Sequence, residues 1–121
     1  MAHRISYGER IFVAGSNGMV GSAICKELTK QGYGLKKNNG ILLKPSRKEL
    51  NLLNYNELDN WFNTNKPTVV ILAAAKVGGI NANNMKPAEF ILENLKIQNN
   101  VIELAWKHGV KRFLFLGSSC I

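Results

Sequence analysis

Apolar positions along the chain alternate between short β-branched runs and longer stretches with a helical repeat, the pattern of βαβ units around a parallel sheet. Ile11-Phe12-Val13-Ala14 lacks polar alternation, which predicts a first strand buried on both faces. Val20, Ile24 and Leu28 come next at helical spacing with Ala23 and Cys25 beside them, predicting a helix over 18–31 that Gly32 stops. The Gly- and Asn-rich stretch from Gly32 to Gly40 predicts an exposed loop, and Ile41-Leu42-Leu43 a short second strand. Leu50 to Leu53 fits either a very short strand or a turn. Asn54 or Asn56 then caps a helix reaching about residue 63, with Leu58, Trp61 and Phe62 on its inner side and Pro67 ending the segment.

Thr68-Val69-Val70-Ile71-Leu72 is the most strand-like run of the sequence. After the loop 73–86, Pro87 opens the longest helix, to about Lys107. Phe90, Asn94, Ile97, Val101, Leu104 and His108 form one stripe of it, and Ile91, Leu95, Ile102 and Trp106 a second. Two stripes predict packing on the sheet on one side and on something else on the other. Gly109 stops this helix, and Arg112 to Leu116 form the last strand. The predicted class is α/β, an incomplete Rossmann-type parallel sheet with helices on both faces.

The 121 residues make one domain at most. Hydrophobic residues at 45% and charged residues at 20% fit a folded globular chain. The longest apolar run, Val69 to Ala75, is far short of the ~20 residues a membrane helix needs, and the opening ten residues hold no signal-peptide core. Cys25 and Cys120 are the only cysteines and lack ligand spacing, which argues against a disulfide scaffold or any metal site and fits a cytoplasmic protein. A net charge of +8 raises the possibility of a nucleic-acid-binding module. The lysines are scattered, however, with Lys26, Lys30, Lys96 and Lys107 on helix exteriors, and no basic stripe with interleaved aromatics exists. No nucleic-acid or membrane partner is expected. Because Ile121 comes so soon after the apolar run Phe113–Leu116, residues 1–121 are expected to be the N-terminal part of a longer protein, a truncated domain whose last strand would present an unpaired apolar edge.

Between the first strand and its helix lies Gly15-Ser16-Asn17-Gly18-Met19-Val20-Gly21. A glycine loop at this place lets backbone N–H groups approach a pyrophosphate, and the helix N-terminus adds partial positive charge. Gly15 suits the tight turn, Gly18 the close approach and Gly21 the packing of helix on strand. An NAD site would place a carboxylate at the end of the second strand to hold the ribose hydroxyl. Here the sequence is Leu43-Lys44-Pro45-Ser46-Arg47-Lys48, with no carboxylate before Glu49. Clustered cations suit a 2′-phosphate, and a guanidinium can grip it with two bonds, so the expected cofactor is NADP(H).

The G-x-x-G-x-x-G spacing resembles the extended short-chain dehydrogenase/reductase superfamily. Further segments narrow the resemblance: Gly18-Met19-Val20-Gly21-Ser22, Arg47-Lys48-Glu49-Leu50-Asn51-Leu52-Leu53, Ala73-Ala74-Ala75-Lys76-Val77-Gly78-Gly79-Ile80, Asn81-Ala82-Asn83-Asn84 and Leu116-Gly117-Ser118-Ser119-Cys120-Ile121. In order and spacing, from Arg10 to Ile121, they resemble the GDP-L-fucose synthase family, NADPH-dependent 3,5-epimerase/4-reductases acting on GDP-4-keto-6-deoxy-D-mannose. The resemblance implies that Gly15, Ser16, Asn17, Gly18, Met19, Val20 and Gly21 hold the pyrophosphate and Arg47 the 2′-phosphate. It places Asn51 and Leu52 by the adenine, Ala73, Ala74 and Ala75 under the cofactor, and Leu116, Gly117 and Ser119 toward the nicotinamide. Ser118 matches the family's catalytic serine, a hydroxyl able to donate to the keto oxygen as hydride arrives. Cys120 matches the epimerisation cysteine, a thiol able to act as acid or base beside a carbonyl.

Departures exist as well. Many relatives carry His-Arg where this chain has Ser16-Asn17, which leaves Arg47 with more of the 2′-phosphate discrimination, and Leu53-Asn54 replaces Leu-Asp. The superfamily's Tyr-x-x-x-Lys pair is matched only by Tyr33–Lys37, in a Gly/Asn loop on the wrong side of the cofactor, so the true pair and the substrate domain are expected beyond Ile121 and the fragment alone is expected to be inactive. His3 and His108 are not catalytic candidates. Two alternatives stay open: another nucleotide-sugar epimerase or dehydratase of the same superfamily, or a non-catalytic NADP-binding protein. A homodimer is expected of the full-length form.

Overall fold

The computed structural model describes residues 5–73 and 86–116. Within them, four parallel strands run β1 (Arg10–Ala14), β2 (Ile41–Leu43), β3 (Val69–Leu72) and β4 (Arg112–Phe115), in the spatial order β2-β1-β3-β4. The helices are α1 (Met19–Lys30), α2 (Tyr55–Asn65) and α3 (Pro87–Lys107). The strands β1 and β3 are apolar throughout because both of their faces are covered, and alternate residues feed two separate cores. Ile11, Val13, Val69 and Ile71 meet Cys25, Ile24 and Leu28 of α1 on one face. Phe12, Ala14, Val70 and Leu72 meet Leu58 and Phe62 of α2 and Ile97, Val101 and Leu104 of α3 on the other.

Local chemistry sets the boundaries. The Asn54 side chain accepts the Glu57 N–H at 3.0 Å and caps α2, which settles the choice between Asn54 and Asn56. This helix runs two residues past its predicted end, because Lys66 takes the left-handed conformation and closes it just before Pro67. Leu50 to Leu53 is a turn. The Asn51 Oδ1 accepts the Leu53 N–H at 3.0 Å, and Leu50 and Leu52 reach the α2/α3 core from it. The segment Gly32–Gly40, expected as an exposed loop, is partly buried and contains a 3₁₀ turn at Lys36–Asn38. It packs on the N-terminal segment: the Tyr7 and Tyr33 rings lie 4.8 Å apart, and the Tyr33 hydroxyl donates to the Ile5 carbonyl at 2.7 Å. Tyr33 and Lys37 therefore stand at the amino ends of the strands, consistent with their exclusion as a catalytic pair.

The first stripe of α3 is buried and the second is not. Ile91, Leu95 and Ile102 are exposed, and Trp106 is 82% exposed. The described sheet ends at β4, whose Leu114 and Phe115 are also exposed.

The middle of α2 and the C-terminal end of α3 are joined by charge. Asp59 accepts from Lys107 Nζ at 3.0 Å and sits 2.7 Å from His108 Nε2, while the His108 ring stacks on Phe62. The hydrogen bond from His108, then that from Lys107, holds the Asp59 carboxyl below its ordinary range. A depressed folded-state pKa contributes stability above the unfolded-chain value of about 3.9, and that stability is lost as pH falls through the folded value. Tm followed by circular dichroism is thus expected to fall more steeply below about pH 4 in the unmodified protein than in Asp59→Asn. Parallel acid limbs in the two proteins would show that Asp59 contributes nothing there.

Candidate dinucleotide-binding site

Strand register brings three of the predicted site residues, Gly15, Ala73 and Leu116, to one edge. Ala14 of β1 pairs with Leu72 of β3, and Leu72 with Phe115 of β4. Their successors Gly15, Ala73 and Leu116 therefore form a row across the carboxyl ends of the strands. The row is tied together by the Ala73 N–H donating to the Ala14 carbonyl at 2.8 Å and the Leu116 N–H to the Leu72 carbonyl at 3.1 Å. Open parallel sheets bind ligands at this end.

The chain leaves β1 through Gly15 at φ +87°, a left-handed conformation that costs an L-residue roughly 1–2 kcal/mol. Ser16 is buried, its hydroxyl 3.4 Å from the Pro45 carbonyl that it points to, which fastens the loop to the exit of β2. Gly18 donates its N–H to the Gly15 carbonyl at 3.1 Å and begins α1 without a side-chain cap. Among the described residues no acceptor takes the N–H groups of Met19, Val20 and Gly21, and no acidic side chain occupies the first turn. Met19 is 89% exposed, and Asn17 and Val20 are exposed as well. Three free donors at a positive helix end, with no carboxylate beside them, fit a pyrophosphate. Gly21 serves the packing: a Cβ there would overlap the Gly15 carbonyl oxygen and stand 2.9 Å from Ser16 Cα.

Beside this loop a cavity of about 570 Å³ opens between α1 and the exit of β2, lined by Ser16, Asn17, Ser22, Cys25, Lys26, Thr29, Lys44, Ser46 and Glu49. The Ser46 N–H donates to Glu49 Oε1 at 2.8 Å while the Glu49 N–H donates to Ser46 Oγ at 3.3 Å. The Ser46 backbone N–H, then its hydroxyl, holds the Glu49 carboxyl below its ordinary range. The three cations that stand together in the sequence separate here: Lys44 lines the cavity, while Arg47 and Lys48 are exposed outside its lining. Cys25 is a buried free thiol that burial pushes up in pKa, with the Lys44 ammonium pulling the other way.

Asn51 and Leu52 sit on the turn after this segment. The Asn51 N–H donates to Glu57 Oε2 at 2.9 Å, and the Leu52 carbonyl accepts from Asn100 Nδ2 at 2.9 Å. Neither Glu57 nor Asn100 stands out in the sequence as a site residue. The one signal for Asn100 is a polar residue beside the inward-facing Ile97, Val101 and Leu104 of α3. Asn100→Leu is expected to cost about 1 kcal/mol in urea unfolding and to raise amide exchange at residues 51–53. An unchanged exchange rate there would rule out this anchoring role. Ala74, Ala75, Gly117, Ser118, Ser119 and Cys120 lie outside the described residues. No helix among the described residues is long and apolar enough to cross a membrane.

A glycine turn leading from the first strand of a parallel sheet into a helix, with open N–H groups at the carboxyl edge, defines a Rossmann-type dinucleotide-binding domain. The sequence narrows this further. Residues 11–121 match the NAD dependent epimerase/dehydratase family, and the chain belongs to it. It is 54% identical over 112 residues to a putative GDP-L-fucose synthase 2 of Arabidopsis thaliana, covering 93% of this chain and 32% of that one. To the GDP-L-fucose synthase of Escherichia coli (strain K12) it is 46% identical over 113 residues, covering 93% and 33%. Among solved structures it resembles a GDP-mannoheptose C4 reductase from Campylobacter jejuni with NADP bound, with a TM-score of 0.80, 36% identity and coverage of 94% and 34%. The chain thus spans about a third of the length of the curated relatives it matches.

Proposed function

We propose that the protein carrying this chain is an NADP(H)-dependent enzyme that epimerises C3 and C5 of GDP-4-keto-6-deoxy-D-mannose and reduces C4 to give GDP-L-fucose, with residues 1–121 as its dinucleotide-binding part. The observation that carries this reading is the open glycine cradle at the carboxyl edge, in a chain about half identical to GDP-L-fucose synthases over 93% of its length. The N–H groups of Met19, Val20 and Gly21 hold the pyrophosphate, within the loop Gly15–Gly21. Arg47 holds the 2′-phosphate, Asn51 and Leu52 flank the adenine, and Ala73 to Ala75 pass beneath the cofactor. Leu116, Gly117 and Ser119 face the nicotinamide side.

When bound, NADPH supplies the hydride that C4 receives. Ser118 donates its hydroxyl hydrogen bond to the C4 oxygen as negative charge develops there. Cys120 exchanges protons at C3 and C5, whose C–H bonds are acidified by the neighbouring ketone. A homodimer is supported by the exposed apolar face of α3, and a cytoplasmic setting by the free thiol of Cys25. The test is to supply the full-length protein that carries this chain with GDP-4-keto-6-deoxy-D-mannose and NADPH and follow nucleotide oxidation and product configuration. GDP-L-fucose formed in step with NADPH loss is expected. NADPH oxidation that leaves C3 and C5 unchanged would make the protein a simple 4-reductase, and the absence of turnover would overturn the enzymatic reading.

A further inference from the structure

Cations that lie scattered along the sequence are gathered in space. Each helix returns against the strands, so helix ends and strand starts share the amino edge of the sheet, opposite the dinucleotide site. Lys30, Lys66 and Lys107 stand at the ends of α1, α2 and α3, Arg10 and Arg112 open β1 and β4, and Lys111 directly precedes β4. Lys36 and Lys37 lie in the 3₁₀ turn before β2. Half of the sixteen Lys and Arg residues therefore share this edge. The carboxylates bonded there are already taken, Glu9 by Lys111 at 3.4 Å and Asp59 by Lys107 and His108. Glu27, one turn before the end of α1, accepts from Gln31 Nε2 at 2.7 Å. Lys30, Lys36, Lys37 and Lys66 are exposed and have no side-chain partner among the described residues. The carbonyl end of a helix favours a cation, which accounts for Lys30 and Lys66. Lys36 and Lys37 have no such reason.

The turn that carries these two lysines is fixed. Asn38 Nδ2 donates to the Gly32 carbonyl at 2.7 Å, the Tyr33 hydroxyl holds the Ile5 carbonyl, and Asn39 closes the turn at φ +59°. A turn ordered beforehand loses little entropy when a partner binds. Its surroundings select among anionic partners. Arginine forks suit phosphates, yet Arg10 Nε is spent on the Asn65 carbonyl at 2.7 Å and Arg112 acts on Glu9. The Tyr7 and Tyr33 rings are turned to each other and are not set out as a platform for bases. The exposed apolar side chains beside the turn are Tyr7 and Ile41, too little for a bilayer to bury but enough for a peptide. We infer that the amino edge, centred on Lys36 and Lys37, is a docking surface for an acidic segment of a partner protein, whose carboxylates meet these lysines and Lys30 while its apolar side chains rest on Tyr7 and Ile41. The surface lies at the opposite edge from the glycine cradle, so this inference does not rest on the dinucleotide reading.

Fluorescence anisotropy of a labelled Glu-Glu-Leu-Glu-Asp-Leu-Glu-Glu peptide, titrated with the full-length protein that carries this chain, tests the surface. Binding that weakens as salt rises is expected. Lys36→Glu/Lys37→Glu should weaken it about tenfold or more, and Lys36→Gln/Lys37→Gln by less. Lys86→Glu/Lys96→Glu makes the same change in net charge on α3 and should weaken it less than threefold, roughly the long-range share. NADPH affinity, measured on the same samples, should be unchanged in all three variants. Absence of peptide binding by the unmodified protein at low salt would overturn the inference, as would full affinity in Lys36→Glu/Lys37→Glu. Equal losses in the turn and α3 variants would reduce the effect to net charge and overturn it too. Tighter binding of oligothymidylate or of phosphatidylserine vesicles, lost in the turn variants, would make the edge a phosphate-binding surface and overturn the assignment to an acidic protein.

Discussion

Gly21→Ala is expected to destabilise the protein by about 3 kcal/mol or more and to abolish dinucleotide binding. The added carbon would overlap the Gly15 carbonyl oxygen and stand 2.7 Å from the carbon that bears it. All the atoms it meets are backbone, so no side chain can rotate away. Relief requires moving α1 off β1 or shifting the turn at Gly15, and either change displaces the free N–H groups of α1. Gly18→Ala separates the two roles of the loop. Its Cβ would meet the Gly15 carbonyl oxygen at 3.4 Å, an ordinary contact, and its φ of −77° suits any residue. It should therefore leave stability within about 1 kcal/mol while weakening NADPH binding, because the close approach at this position is made by the ligand. Urea unfolding and nucleotide titration of both variants check the pair of expectations. A Gly21→Ala protein of ordinary stability would show that the helix–strand contact is not as tight as described.

Phe12→Ala is the second large effect, expected at about 3–5 kcal/mol, a large share of the 5–15 kcal/mol typical of a whole domain. Phe12 is fully buried at the centre of the sheet, paired in register with Leu43 on one side and Val70 on the other. Its ring lies 4.4 Å from that of Trp61 and 5.7 Å, edge-on, from that of Phe62. The partners sit on α2 between two covered layers, where collapse into the vacated volume is restricted. Equilibrium denaturation should show the midpoint falling with little change in slope. A loss below about 1.5 kcal/mol would mean that the core closes over the site.

Much of this fold is legible in the sequence because its strongest signals are local or periodic. β1 and β3 declare themselves by apolar runs that only a doubly covered strand tolerates, and α3 by Pro87 at its start and Gly109 beyond its end. The glycine loop is legible because Gly15 answers the demand for a positive φ and Gly21 the demand for close packing of helix on strand, and Gly21 is the one whose demand the backbone geometry makes strongest. The features that escape depend on contacts distant in sequence. Leu50–Leu53 fits either a short strand or a turn by its sequence, and the choice is made by the Asn51 side chain, by Glu57 and by Asn100 on another helix, which fix it as a turn. Gly32–Gly40 has the composition of an exposed loop, but Tyr7, more than twenty residues earlier, lies against it. His108 reads as a cation favoured by the end of a helix, whereas its partners are Asp59 and the Phe62 ring. The separation of Lys44 from Arg47 is of the same kind, since a proline turn after an alternating strand sends adjacent charges to different places.

The site and the fold are therefore one structure at the carboxyl edge. The contacts that seat α1 on β1 aim its first N–H groups, which have no intrahelical acceptors, at the carboxyl edge, and the turn held by Asn51 and Asn100 is the segment proposed for the adenine. Amide hydrogen exchange of the protein, with and without saturating NADPH, tests the dinucleotide site most directly. The N–H groups of Met19, Val20 and Gly21 should exchange freely without the nucleotide and become protected with it, together with residues 44–52 and Ala73. Saturation by NADPH with no added protection at residues 15–21 would contradict the proposed cradle.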